Sequence, residues 1–433
     1  MPKDLSPKIG RKTLLASAPL TLTGGNFQAS QSRRRPRIAA IVSEYRRYSH
    51  AQHIFDRFLW GYGWGNQHHH PAMDLVSVYV DQTPKNTLIH DRLRRFPSMK
   101  KYPTIAEALT LGGDKLAVDG VILIVEHGNY PKNKKGQTLY PRYEFFMEIA
   151  KVFQESKRSV PVFNDKHLSW NWESAKEMYD TSKKMGFPFM AGSSVVVANR
   201  LPSIDMPMGV EIEEVLGLAV GGIDGYDIHA LEAVQCMVER RRGGETGVAN
   251  IHALRGPSVF EAMKSGSWDK GGWSNELFQA CLCRSHTLAP SRKGFNHILP
   301  KFDDIIKLVN DNANEPVAYR YEFLDGLKAT ILLMEGLVMD FTFSARLKGE
   351  KQVLSTQFFL PPREVCNFFN PQNNAVEQMF LTGKPTYPVE RTLLTTGLTA
   401  AGVESIWQGQ KKMDTPHLKI NYQPTTESTF RRS

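Results

Sequence analysis

Two stretches of this chain place carboxylates, imidazoles and an amine where apolar runs end. Val118 to Val125 is the most apolar run of the sequence, and it stops at Glu126-His127-Gly128-Asn129-Tyr130. Val160 to Phe163 stops at Asn164-Asp165-Lys166-His167. A buried strand does not need such groups for packing, and ligands of open parallel sheets gather at the carboxyl ends of strands. Helix capping and loop hydrogen bonding are the structural use of the same residue types. In a third stretch, His229 precedes Glu232 by about one helical turn, close behind Asp227. Histidine, with a side-chain pKa of about 6.5, suits general acid–base work. Glu126, His127, Asp165, His167, Asp227 and His229 also supply the donors for a divalent metal with an open position, as a lyase, isomerase or hydrolase would use. His68-His69-His70 reads as a solvated loop, because three adjacent histidines cannot all face one point. Trp60, Trp64, Trp170 and Trp172 offer stacking surfaces for a sugar, or fill a core.

The elements that hold these residues alternate. Arg37 to Val42 reads as a buried parallel strand, followed by a helix from Ser49, a turn-rich segment over Gly61 to Pro71, and a strand over Asp74 to Asp81. Short helices at Arg92 to Phe96 and from Ile105, the Val118 strand, a helix over Tyr143 to Phe153, the Val160 strand, a helix over Trp172 to Met185 and a strand over Phe187 to Ala191 complete the series. Strands alternating with helices imply βαβ units and a parallel sheet covered on both faces. After Pro202 the pattern changes to a strand over Val210 to Val220, a helix over Tyr226 to Arg241, three strands between Val317 and Ala345, and a helix over Arg391 to Gln408. Residues 257–315 assign no element. The fold class is therefore α/β: a tail over residues 1–36, a Rossmann-like parallel-sheet domain over 37–200, and an α+β domain with a mainly antiparallel open sheet over 201–433.

Composition narrows the classes. Of 433 residues, 41% are hydrophobic and 23% charged, which excludes wholesale disorder. No apolar run approaches the roughly 18 residues of a membrane helix. Seven of the ten net positive charges lie in residues 1–37, and Arg431 and Arg432 supply two more, so the body is almost neutral. That distribution excludes a nucleic-acid-binding fold, whose basic stripe lies on a folded face. The four cysteines, Cys236, Cys281, Cys283 and Cys366, form neither a disulfide framework nor a zinc motif. Gly10-Arg11-Lys12-Thr13-Leu14-Leu15-Ala16 resembles a weakened twin-arginine signal, with Lys12 for the second arginine. The chain is thus exported through it, or cytoplasmic with a basic tail.

Three segments carry a family resemblance. Val162-Phe163-Asn164-Asp165-Lys166-His167-Leu168-Ser169, its following helix and Gly186 to Gly192 are similar to a strand–Glu-Lys-Pro–helix–strand segment, with Asp165 for Glu and His167 for Pro. Gly221-Gly222-Ile223-Asp224-Gly225-Tyr226-Asp227-Ile228-His229-Ala230-Leu231-Glu232 is similar to a Gly-Gly…Asp-x-Gly-x-His-x-x-Asp helix start. Tyr387-Pro388-Val389-Glu390-Arg391-Thr392-Leu393-Leu394 begins a C-terminal helix in the same manner. In this order they resemble the glucose–fructose oxidoreductase / inositol dehydrogenase (Gfo/Idh/MocA) family over roughly residues 37–420.

The resemblance implies an oxidoreductase acting on a sugar or polyol-like hydroxyl with NAD or NADP. Ser43, Asp81, Glu126 and His127 then lie along the cofactor, with Asp81 at the ribose. Lys166 holds the reacting hydroxyl, His229 is the general base and Glu232 orients it, while Asp165, His167 and Asp227 meet the substrate. Exposed sheet faces of the second domain imply a homo-oligomer, dimer or tetramer. One departure is plain: the family's first loop is Gly-x-Gly-x-x-Gly, whereas Ser43 to Ser49 contains no glycine and puts Glu44 where phosphates bind, beside Arg46 and Arg47. Two other readings remain open: a metal-dependent enzyme that needs no dinucleotide, and a sugar-binding protein without catalysis.

Overall fold

The structure, a computed structural model, describes residues 34–289, 302–361 and 366–432. The twin-arginine-like stretch lies outside the described residues. The chain from Arg35 onward forms one compact unit, and no helix among the described residues is long and apolar enough to cross a membrane.

The alternating N-terminal pattern folds as βαβ units. Its elements are β1 (Arg37–Glu44), α1 (His50–Trp60), β2 (Asp74–Gln82), β3 (Lys100–Lys101), β4 (Gly120–Ile124), α2 (Arg142–Ser156), β5 (Val162–Asp165), α3 (Trp172–Met185) and β6 (Phe189–Gly192). They give a six-stranded sheet in the order β3-β2-β1-β4-β5-β6, with every pairing parallel. Ile38 to Val42 and Val121 to Ile124 are fully buried, as central strands covered on both faces must be. Local signals set the helix ends. Ser49 Oγ accepts from the Gln52 amide (3.2 Å) at the start of α1, and Asn171 Oδ1 accepts from the Ser174 amide (2.8 Å) at the start of α3. Gly186, at φ 68°, closes α3 in the left-handed conformation. The turn-rich segment after α1 forms a small hairpin, Tyr62–Trp64 with Gln67–His69. There His69 Nε2 meets Glu377 (2.7 Å) and His68 Nε2 meets the Trp60 carbonyl (2.7 Å), so the histidine tract is structural.

The second sheet comprises β7 (Arg200–Leu201), β8 (Ile212–Ala219), β9 (Val248–Arg255), β10 (Val317–Phe323), β11 (Lys328–Leu333), β12 (Phe341–Leu347), β13 (Leu354–Phe358) and β14 (Met413–Asp414). Their order is β14-β9-β10-β11-β8-β12-β13-β7. The pairings are antiparallel except for β8 with β11. Side chains alternate between faces. Val215, Tyr319, Ile331 and Phe343 join the core that includes α4 (Asp227–Val238) and α6 (Val389–Trp407). At Gly217 a Cβ would lie 2.7 Å from Val234, which is how closely α4 sits on β8. α6 and the preceding α5 (Asn370–Thr382) return to the first sheet, with α6 packing on β6 and α3.

The opposite face of this sheet corrects the expectation of an exposed sheet face. Leu216, Leu218, Ala318 and Leu332 pack with Val259, Trp273, Leu277 and Phe278 in a separate core. Residues 257–315, which carried no readable pattern, provide that cover through helices Pro257–Ser265, Asn275–Arg284 and Phe302–Asn312. The face on which the oligomer expectation rested is occupied by the chain itself.

Candidate functional site

The carboxyl ends of β1, β4 and β5 meet the start of α4 at a cavity of about 320 Å³. Its walls include His50, Glu126, His127, Lys166, Tyr226 and His229, with Phe369 closing one side. Lys166 and His229, 63 positions apart in the chain, thus line one cleft. The backbone turns sharply where these side chains leave the sheet: His127 (φ 73°) and Lys166 (φ 60°) both adopt the left-handed conformation, which costs a non-glycine residue about 1–3 kcal/mol. The Lys166 amide donates to the Gly192 carbonyl (3.2 Å), tying the end of β5 to the end of β6.

A charged network fixes the lysine. Lys166 Nζ donates to Glu126 Oε1 (2.8 Å) and lies 3.4 Å from the Gly225 carbonyl. Arg142, fully buried at the start of α2, donates to Glu126 Oε2 (2.5 Å). Burial opposes the charge on Glu126, but Lys166 and Arg142 outweigh it and hold the carboxyl well below its usual range. Burial likewise opposes the charge on Lys166, and Glu126 and Asp165 reverse that effect, so the amine remains an ammonium. His229 is held the other way. Burial, then Lys166 and His50, push it well below its ordinary value, so it sits neutral. Its Nδ1 lies 2.5 Å from Ser193 Oγ, the hydroxyl that also caps the short turn Ser194–Val197. The arrangement is a fixed cation beside a neutral imidazole, suited to holding an oxygen and moving its proton.

The other candidates fall elsewhere. Glu232 does not orient His229. It accepts from the Ser193 amide (2.5 Å) and from Thr392 (2.6 Å), so it holds the backbone behind the residue that does. Burial raises its carboxyl to about 7. Asp227 is absent from the cavity wall; it accepts from Tyr319 (3.1 Å) and from the Asp224 amide (3.1 Å). His167 is buried against Arg142 (3.1 Å), behind the cleft. Asp165 reaches the cavity only through His50, with Nδ1 2.7 Å from Oδ2. His127 lines the cleft, and burial, then His50, lowers it to about 4. Sequence reasoning missed His50, Arg142 and Ser193. The serine cap ahead of α1 signalled that His50 starts a helix after β1, which is where ligands gather; nothing marked Arg142 or Ser193.

A dinucleotide at this fold position rests its pyrophosphate on glycine amides between the first strand and helix. The residues present do not fit one. The Ser43 hydroxyl is spent on the carbonyls of Glu126 (3.0 Å) and His127 (2.9 Å). The Glu44 carboxylate pairs with Arg46, and the Tyr45 ring is fully buried with its hydroxyl on Asp56. Phe369 covers the first turn of α1, with ring centroids 5.2 Å from His50 and 5.0 Å from His53. Asp81, expected at the ribose, accepts from Tyr79 (2.9 Å) and Tyr130 (2.7 Å). The metal reading lacks geometry as well: among the described residues no group of three or more His, Cys, Asp or Glu converges on a cation position. A larger groove of about 500 Å³ lies between Trp64, α5 and the C-terminal Glu427 to Arg432. Its lining contains neither histidine nor lysine, whereas that of the smaller cleft contains both.

No protein-family model and no curated protein matches this sequence. Solved structures do. GenD2 from gentamicin A biosynthesis, in complex with NAD, superimposes with a TM-score of 0.54 at 12% identity, covering 88% of this chain and 97% of that one. Myo-inositol 2-dehydrogenase from Lactobacillus plantarum gives 0.52 at 12% identity, covering 88% and 99%. Myo-inositol dehydrogenase from Lactobacillus casei, in complex with NAD(H) and myo-inositol, gives 0.52 at 12% identity, covering 92% and 100%. At such identity the likeness establishes the fold alone, and that fold, a parallel sheet followed by a mainly antiparallel one, is the architecture the Gfo/Idh/MocA resemblance implies.

Proposed function

We propose that the cleft is the catalytic site of an enzyme acting on a sugar- or polyol-like substrate, in which Lys166 holds the reacting oxygen and His229 moves its proton. The observation that carries this reading is the presence of the Lys166 ammonium and the neutral His229 imidazole on one cavity wall. A cavity of about 320 Å³ suits one small hydroxylated molecule. Oxidoreductase chemistry at the hydroxyl is the class favoured by likeness to the NAD-bound and inositol-bound structures. A second reading, in which the same pair works without NAD or NADP, is favoured by the turn after β1, whose residues do not fit a pyrophosphate.

The test is binding and turnover on one preparation. Native protein is titrated with NAD(H), NADP(H) and myo-inositol by calorimetry, and polyol oxidation is followed by absorbance. Oxidation of the polyol that is lost in Lys166→Met supports the first reading. Polyol binding lost in Lys166→Met, with no dinucleotide binding at millimolar concentration, supports the second. Polyol binding unchanged in both Lys166→Met and His229→Gln contradicts the site itself.

A further inference from the structure

Of the imidazoles that line the cleft besides His229, one has its Nδ1 held by a buried carboxylate. His50 opens α1, at the turn where a dinucleotide's phosphates rest in this kind of fold. Its Nδ1 is fixed by Asp165 Oδ2 at 2.7 Å, and the Asp165 side chain is only 1% exposed. Fixing Nδ1 leaves Nε2 as the working nitrogen. His229 Nδ1 is likewise occupied, by the Ser193 hydroxyl, which can donate to it or accept from it. Among the described residues neither Nε2 has a hydrogen-bond partner. The two rings stand with centroids 6.4 Å apart in the same cavity, beside Lys166. The turn that fails to fit a dinucleotide is therefore the turn that supplies a second imidazole.

We propose that His50, oriented by Asp165, is a second catalytic acid–base residue, and that with His229 it carries out a redox-neutral proton transfer at the carbon next to a carbonyl of a sugar-like substrate. This rests on the second reading of the cleft, as a carbohydrate-directed acid–base site that works without NAD or NADP. The neutral His229 imidazole takes the proton from that carbon. The C–H electron pair becomes the C=C bond of an enolate, and the carbonyl π pair moves to oxygen, beside the Lys166 ammonium. His50, carrying a proton taken from solvent, gives it to the carbon, and the oxygen regains its double bond; the reverse reaction exchanges the two roles. Return from the opposite side inverts the carbon. The rings exchange one proton with solvent to reset, and nothing is oxidised or reduced. Asp165 acts through His50 as a positioning residue.

The experiment incubates the native full chain in D2O, without added dinucleotide, with two epimer pairs that differ next to the carbonyl: D-fructose with D-psicose, and D-glucose with D-mannose. Proton NMR reads deuterium entry and epimer formation. The expected result is exchange at that carbon with interconversion of one pair. His50→Gln should slow interconversion about 100-fold while retaining exchange from one epimer, and His229→Gln should retain it from the other. Asp165→Asn should reduce interconversion and shift the His50 ring nitrogen signals in nitrogen-15 spectra without moving those of His229. His50→Asn serves if the glutamine variant does not fold. No exchange by native protein with either pair, or native rates in His50→Gln, overturns the assignment. If Lys166→Met abolishes polyol binding while the His50 variants behave as native, the cleft reading stands and the role of His50 falls.

Discussion

At the residue scale, the cleft is built on how charge is placed. Lys166 keeps its ammonium because Glu126 sits 2.8 Å away, and Glu126 keeps its carboxylate because Arg142 holds the other oxygen. Removing one member strands a buried charge, which costs about 3–5 kcal/mol. Arg142→Met should accordingly lower the thermal midpoint sharply, whereas Lys166→Met and Glu126→Gln combined should lower it less than the sum of the two singles. Thermal denaturation of the native protein and the four variants checks this. His229 should titrate well below the ordinary histidine range because of its burial and of Lys166, and loss of the neighbouring positive charge in Lys166→Met should move its titration upward, as histidine NMR would show. These residues were partly legible in the sequence. Polar groups after two apolar strands pointed to Glu126, His127 and Lys166, and family likeness pointed to His229. Ser193 and Arg142 were invisible, because a serine after a strand and an arginine at a helix start are ordinary until the fold brings them to a partner.

At the element scale, the middle of α4 carries a carboxyl that behaves unusually and ties the helix to Ser193 and α6. Burial raises Glu232 to about 7, so the folded chain keeps a proton that the unfolded chain releases above about 4.3. The stability from this group is full below that pH and is lost as pH rises to about 7, by about 3 kcal/mol. Glu232→Gln, which keeps the shape of the protonated acid, should match the native protein at pH 4 and exceed its stability at pH 8. Equal pH dependence of native and variant thermal midpoints would contradict this. Ser193→Ala removes both a turn cap and the partner of His229 Nδ1. It should reduce kcat by roughly 10²-fold with KM little changed, and steady-state kinetics on the substrate identified for the native enzyme checks the split. Element type was readable where periodicity was strong, as in α3, which spans Trp172–Met185 as the sequence suggests. It was not readable for β9, β13 and α5. Val248–Arg255 and Leu354–Phe358 mix polar and apolar residues because each packs on different partners, and α5 begins with Asn370-Pro371, which reads as a loop.

At the scale of the whole molecule, the second sheet is closed by its own chain. Phe278 and Trp273 are fully buried against β8 and β10 residues, so Phe278→Ala should destabilise the fold by about 3–5 kcal/mol without changing the mass seen by light scattering. A fall in mass with unaltered stability would show that this face joins two copies. The covering helices were beyond sequence reading because their apolar residues, scattered over residues 257–315, face a single sheet surface that only the fold defines. It is also the packing of the two sheets in one unit that puts Lys166 and His229 on one cavity. The most direct measurement is ligand-observed NMR of a panel of polyols and ketoses with the native protein, Lys166→Met and His229→Gln. The account predicts at least one binder that is lost in both variants while their folds persist. Binding that is indifferent to both substitutions would contradict it.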